Sequence, residues 1–417
     1  MTGTLSVSQG FELSDNEDLD SATSGETFTS RTGLSFTLDS QTRTEVFRFS
    51  LGTAMVGDFG GGADDDFEIE NSNAALEYTR QGANSRLRFA GRYRESDLDD
   101  NVLTFGPSNT LIIDGGSTEV LDLEARLETG LSGPFGLDVR SRYRKEDYFN
   151  TTDTDLINNE RISLDALANF RVNPALTARV RAGIARTNEY GIAPDEIDDT
   201  YFGVGVAART AGGLSVTGDV LYDRTEDLSG SDDGVGVDIS VSRSLATGSA
   251  GLNFSSRVIS DGRRTSASAN RTFNHSTGSL SFSLGVVDQE GDSSIRPSAS
   301  VTYTQSRPQG DLSASLSHNP SIDGPAVYGN TRISVDFAQG INANSGWSAG
   351  LSYASVDQLN GPDDENRTTA RLTYTRSITR DWQMNTGIAH TRNFESGTTE
   401  SSNTLFFNIR RDFTFGF

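Results

Sequence analysis

Hydrophobic and polar positions alternate along nearly the whole chain. Within 279–286, for example, Leu280, Phe282 and Leu284 alternate with serines, and leucines alternate with charged residues in 119–131. This period of two is typical of β-strands with one apolar and one polar face, whereas a helix repeats every 3.6 residues. The sequence contains 22 such segments and no convincing helix. We therefore predict an all-β protein of about 22 strands, with 20 or 24 as alternatives.

The connections between these segments alternate between short and long. Segments 82–84 and 211–213 are short, whereas 15–27 and 97–117 are long. Transmembrane barrels combine short periplasmic turns with longer extracellular loops, while a soluble β-sandwich has no reason to sort loop lengths by side. We predict an antiparallel, up-and-down transmembrane β-barrel that occupies 1–417 as a single domain, with no separate plug domain in this chain.

Composition changes the picture only once this alternation is known. A mean hydropathy of −0.45 and 34% hydrophobic residues normally indicate a soluble protein, but half of each strand of a transmembrane barrel is polar. The absence of cysteine excludes disulfides, thiolate metal sites and cysteine nucleophiles. A net charge of −23 argues against a nucleic-acid partner, because phosphate binding needs a basic surface.

The C-terminal strand carries the most specific signal. Its alternate positions are apolar and end on Phe413, Phe415 and Phe417, although Arg411 interrupts the series. This pattern resembles the C-terminal signature of Gram-negative outer-membrane β-barrels. The resemblance implies an outer-membrane location, contact with membrane lipid and lipopolysaccharide, and recognition by the barrel-assembly machinery. The resemblance to this barrel class covers the whole chain, which looks more like the uncharacterised outer-membrane barrels of proteobacteria than like any named porin family. Met1 leads directly into a strand pattern, so we expect a trimmed precursor.

Aromatic residues predict the orientation in the membrane. Trp347 and Trp382 directly follow short turns and are in register with apolar, lipid-facing positions. We expect both at the periplasmic interface, because tryptophan is enriched where the apolar core of a membrane meets water.

The polar face of the strands then lines the lumen. Over the fifth to seventh strands it carries eight arginines against five carboxylates, a net charge of +3, whereas later strands offer neutral residues such as Ser298, Ser300, Thr302 and Thr304. The charged residues either form ladders that stiffen a wet wall or attract anionic solutes. The predicted lumen-lining residues are Arg86, Arg88, Arg92, Arg94, Glu124, Arg126, Glu128, Arg140, Arg142, Arg144, Arg161, Asp165, Arg179 and Arg181.

A barrel of this width leaks unless something occupies it. The longest connection, 97–117, contains two apolar stretches, 102–105 and 111–113. It either folds into the lumen as a constriction or extends outward as a hairpin. A periplasmic or lumen-filling partner is a further alternative.

Other chemistry has little support in the sequence. Acidic loops, among them Asp64, Asp65 and Asp66, are either solvated surface or weak sites for divalent cations, and we expect no other cofactor. Three histidines, His275, His318 and His390, do not predict an enzyme.

We therefore expect an outer-membrane channel for polar or anionic solutes, with a diffusion porin, polysaccharide export or a barrel awaiting a periplasmic partner left open. The alternative is a non-conducting surface scaffold, adhesin or receptor barrel that acts through its extracellular loops. A soluble β-solenoid is the third interpretation.

Overall fold

The computed structural model describes residues 1–16, 19, 25–60, 66–98, 116–151, 156–191, 194–260, 262–291, 294–323, 326–358, 364–395 and 397–416. Twenty-two strands account for most of them, which confirms the predicted all-β class and strand number. None of the described residues forms a helix long and apolar enough to cross a membrane. The strands are β1 (Thr2–Ser14), β2 (Thr27–Gln41), β3 (Glu45–Gly60), β4 (Asp66–Gln81), β5 (Ser85–Asp97), β6 (Ser117–Thr129), β7 (Phe135–Phe149), β8 (Asn158–Asn173), β9 (Leu176–Tyr190), β10 (Asp195–Arg209), β11 (Leu214–Asp227), β12 (Gly230–Leu245), β13 (Gly248–Ile259), β14 (Gly262–His275), β15 (Gly278–Gln289), β16 (Arg296–Arg307), β17 (Gly310–Asp323), β18 (Ala326–Asn342), β19 (Ser345–Gln358), β20 (Asp364–Ser377), β21 (Trp382–Glu395) and β22 (Thr398–Gly416).

The sheet closes on itself as an antiparallel barrel. Each strand pairs with its neighbours in sequence, and β1 also pairs with β22 from Thr2 opposite Gly416 to Ser14 opposite Thr404. Closure leaves no unpaired sheet edge, which a strand in an apolar bilayer requires. Thr2 and Gly416 lie at the same edge of the barrel as the short turns.

The period of two separates the two faces of this wall. Apolar side chains such as Leu284, 61% exposed, and Ile184, 57% exposed, point outward, where a bilayer would cover them. The residues between them point into the lumen. The exposed apolar residues therefore form the lipid-facing band, so the low hydrophobic fraction does not mean a poor soluble core.

The two edges of the barrel differ in their connections. At the periplasmic edge the turns have two to five residues, whereas at the opposite edge they range from two residues to the 19 of 98–116. At this edge, β17 pairs with β18 as far as Asp323 opposite Ala326, and β21 pairs with β22 as far as Glu395 opposite Thr398. The segments 319–328 and 395–401 are therefore mostly strand and not long loops.

Candidate functional site in the barrel lumen

The structure places all of the predicted lumen residues on inward-facing positions. The outward positions between them carry exposed apolar residues such as Phe89 and Leu123. The inward residues are Arg86, Arg88, Arg92 and Arg94 on β5, Glu124, Arg126 and Glu128 on β6, Arg140, Arg142 and Arg144 on β7, Arg161 and Asp165 on β8, and Arg179 and Arg181 on β9.

The acidic strand β6 forms ion pairs with the arginines on both sides. Arg126 donates two hydrogen bonds to Asp138, from Nε at 2.9 Å and from Nη2 at 2.6 Å. Glu124 accepts from Arg140 and lies 3.5 Å from Arg88 and 3.6 Å from Arg142. The single negative charge of Glu124 is therefore shared by three guanidinium groups. It cannot balance their positive charge.

Three arginines of β5 remain without a carboxylate partner. Within the described part of the chain, Arg86, Arg92 and Arg94 make no ion pair. Arg92 and Arg94 line a recess of about 480 Å³ with Arg144 and Asp122. A larger lumenal recess of about 710 Å³ adjoins it and is also lined by Arg92 and Arg144. Unpaired guanidinium groups beside a solvent-filled space can bind the oxygens of an anion.

A second ionic network lies on β8 to β13. Tyr201 donates from its hydroxyl to Asp165 at 2.7 Å, and its ring lies beneath Arg181 and Arg257. Arg181 also lies 3.2 Å from Asp219, which is only 3% exposed. Arg257 forms the third element of the network by donating to Asp223 at 2.7 Å.

Inward-facing glycines make room for this network, and sequence reasoning missed them. A Cβ at Gly183 would lie 2.4 Å from the Tyr201 ring, and one at Gly203 would lie 2.4 Å from Leu221. Glycine in the polar half of an alternating strand was the available signal, because glycine within a strand often marks close approach of another group.

Exposure differs between parts of the inner wall. Toward the extracellular edge, inward-facing residues from several strands are buried, among them Ala354, Arg367, Asn393, Thr29, Val56 and Val120. Along the charged wall, Arg142 and Arg144 expose 49% and 48% of their side chains. The arginine wall is therefore accessible to solvent, whereas these inward side chains near the extracellular edge are closely packed.

Alternate residues of 279–285 on β15 and 298–304 on β16 face the lumen with neutral side chains and form the neutral wall. Ser300 and Thr302 belong to it, and hydroxyl pairs such as Ser279 with Thr304 at 3.0 Å link adjacent strands. This wall offers hydrogen bonds but no charge, whereas Asp336 on β18 and Arg371 on β20 bring charge to the lumen beyond it.

Trp347 and Trp382 lie on outward positions beside periplasmic turns. Phe413 and Phe415 also point outward, while Phe417 lies outside the described residues. Arg411, the departure from the C-terminal pattern, lies over the rings of Trp382 and Phe413. Aromatic contacts thus accommodate a charge on the lipid face.

The acidic residues and the histidines singled out in the sequence lie away from the arginine wall or outside the described residues. Asp64 and Asp65 lie outside the described residues, and only the backbone of Asp66 is described, at the start of β4. No group of three metal-ligating side chains occurs among the described residues. His390 Nδ1 donates a hydrogen bond at 2.9 Å to the side-chain oxygen of Asn403 on the outward face.

Comparison with solved structures shows the fold. The ferric-catecholate import receptor Fiu of E. coli aligns with a TM-score of 0.63 at 11% identity, over 98% of this chain and 81% of that chain. The FrpB iron transporter of Neisseria meningitidis gives 0.63 at 9% identity, over 99% and 82%. A ferric enterobactin receptor mutant of Pseudomonas aeruginosa gives 0.58 at 9% identity, over 99% and 80%.

No protein-family model matches this sequence, and neither does any curated protein. The likeness to the solved structures, together with the apolar outer face of a closed barrel, confirms the predicted Gram-negative outer-membrane β-barrel.

Proposed function

We propose that this protein is an outer-membrane transport barrel that takes anionic solutes along its arginine wall. The observation that carries the proposal is that Arg92 and Arg94, which make no ion pair within the described part of the chain, line recesses of the lumen. Rings and arcs of arginine favour anions in pores. The titles of the similar structures name ferric-catecholate and ferric enterobactin receptors, and such iron complexes are anionic, which is consistent with this chemistry.

Buried inward side chains near the extracellular edge, such as Ala354 and Val56, favour gated passage over free diffusion. In this proposal, solute entry requires a rearrangement at that edge. We therefore expect rare or small conductance events in a planar bilayer instead of a large permanent pore.

The test is the ion selectivity of those events. Reversal potentials in a salt gradient should show anion selectivity, which Arg92→Gln with Arg94→Gln reduces toward no preference. The matched control, Thr302→Gln with Thr304→Gln on the neutral wall, changes side-chain size without charge and should leave selectivity unchanged. A cation-selective barrel, or selectivity that the arginine substitutions do not alter, would contradict the proposal.

The same buried residues support a second candidate, a non-conducting receptor or scaffold that works through its extracellular loops. The two differ in a single outcome. A correctly folded barrel, shown by heat-modifiable gel migration, that never conducts would support the receptor and contradict transport.

A further inference from the structure

Arg411 presents its charge on the lipid-facing side of β22. Its guanidinium carbon lies 5.3 Å from the centre of the Trp382 ring and 4.5 Å from that of Phe413. The Arg411 Nε is buried without a hydrogen-bond acceptor. The adjacent carboxylate, Asp412, faces the lumen, where Arg410 binds it at 2.7 Å. Within the described part of the chain, Arg411 therefore has aromatic neighbours and no anionic partner.

The position of Arg411 is at the periplasmic edge of the apolar band. Arg411 pairs with Trp382, the first residue of β21, and the next residue, Asp412, donates its backbone N–H to the Asp381 carbonyl of the turn at 3.1 Å. Lipid headgroups lie at this level of a membrane protein, as the belt of interfacial aromatic residues indicates.

A second arginine on the outer face has the same arrangement. The guanidinium carbon of Arg271 on β14 lies 4.3 Å from the centre of the Phe273 ring, and its Nη1 is buried without a partner. In both strands the aromatic residue follows the arginine by two positions toward the periplasmic edge. Each arginine side chain is thus held against a ring that is closer to the headgroups.

We propose that Arg411 binds the phosphate of an anionic phospholipid headgroup in the periplasmic leaflet, with Trp382 and Phe413 holding the guanidinium in place. The planar guanidinium matches two phosphate oxygens, and unmet donors are costly in an apolar layer. Long basic side chains reach from apolar surfaces to headgroups in this way. Arg376, which faces outward on β20, adds positive charge close by. This site is independent of transport through the lumen.

Trp382 is a local reporter of the bound lipid. The chain has two tryptophans, so the Trp347→Phe variant contains Trp382 alone. Brominated lipids quench tryptophan fluorescence on contact. We expect brominated phosphatidylglycerol to quench Trp382 in preference to brominated phosphatidylcholine, with an enrichment of about fivefold for one basic residue near an anionic surface. Arg411→Gln should abolish the preference. Arg411→Lys, which keeps the charge but not the planar fork, should retain part of it.

Arg271→Gln is the matched control, because it removes an equivalent arginine on a distant strand. It should leave the quenching of Trp382 unchanged. Equal quenching by the two lipids in the Trp347→Phe protein, or a preference that survives Arg411→Gln, would overturn the proposal. A second outcome would also overturn it. If inorganic phosphate added to phosphatidylcholine vesicles changed Trp382 emission as much as phosphatidylglycerol does, the site would bind a free anion and not a lipid headgroup.

Discussion

Asp15 accepts two hydrogen bonds from Asn403 at the extracellular end of the junction that closes the barrel. The Asn403 backbone N–H donates to Oδ1 at 2.7 Å, and its side-chain amide donates to Oδ2 at 2.7 Å. The Asp15 backbone N–H donates in return to the Asn403 carbonyl at 3.3 Å. Residues 388 positions apart in the chain thus fasten β1 to β22 where their pairing ends.

This contact makes closure at the outer edge depend on pH. The hydrogen bonds from Asn403 lower the pKa of Asp15 below its ordinary value of 3.8, because they stabilise the carboxylate. A lowered pKa means that the stabilisation is present above the ordinary carboxyl pKa and is lost as pH falls through the lowered value. Since Asp15 is exposed, we expect about 1 kcal/mol at most.

Hydrogen exchange, corrected for the intrinsic rate at each pH, measures this effect. Near neutral pH the peptide around Asn403 should exchange faster in Asp15→Asn than in the unsubstituted protein. The two curves should converge well below the ordinary carboxyl value of 3.8. The control is Asp227→Asn, which alters the β11–β12 turn and should not affect this peptide. Equal exchange near neutral pH would refute the role of Asp15.

The periplasmic end of the same junction depends on Gly3. A Cβ there would lie 2.4 Å from the Phe415 ring, which lies across β1 and approaches Phe36 with ring centres 6.4 Å apart. Gly3→Val should displace Phe415 and destabilise closure by about 1–3 kcal/mol, as overpacking does in well-packed sites. The yield of heat-modifiable, folded protein after refolding into detergent measures this loss.

Gly218→Val is the control on the same outer face, because nothing lies within 4 Å of the added Cβ. It should fold as well as the unsubstituted protein. If both glycine variants fold equally well, the position of the Phe415 ring does not require the absence of a side chain at Gly3.

The Arg257–Asp223 pair is a largely buried ion pair that we expect to be costly to break. Asp223 exposes only 4% of its side chain and accepts from Arg257 Nη2 at 2.7 Å. Asp223→Ala leaves a half-buried guanidinium with Asp238 at 3.4 Å, so we expect a loss of about 3–5 kcal/mol in the free energy of unfolding. Denaturant unfolding followed by tryptophan fluorescence would report it.

Two further variants separate pairing from general damage. Adding Arg257→Met to Asp223→Ala should restore part of the lost stability, because the unpaired charge is removed. Glu226→Ala breaks the exposed pair with Arg224 and should cost about 1 kcal/mol or less. A similar cost at both sites would show that burial does not govern these pairs.

Features that depend on a single strand can be predicted from the sequence. Which face of β5 carries Arg92 follows from the period of two, and so do the number of strands and the outward direction of Trp347. Contacts between strands depend on register, which alternation within one strand does not contain. The stacking of Arg411 on Trp382 and the space that Gly183 leaves for Tyr201 therefore could not be predicted.

Glu124 decides between the two roles considered for the arginine wall. It binds Arg140 and also lies within ion-pair distance of Arg88 and Arg142. Glu124→Gln removes this shared negative charge while keeping the shape of the side chain.

If the wall attracts anions, the anion selectivity of bilayer currents should rise in Glu124→Gln, because more guanidinium charge faces the lumen. If the ladder mainly stiffens the barrel, the free energy of unfolding should fall and selectivity should stay the same. Ser300→Ala on the neutral wall serves as the control and should change neither quantity. Measured together, selectivity and stability thus distinguish an electrostatic wall from a structural one, and a Glu124→Gln barrel unchanged in both would contradict each role.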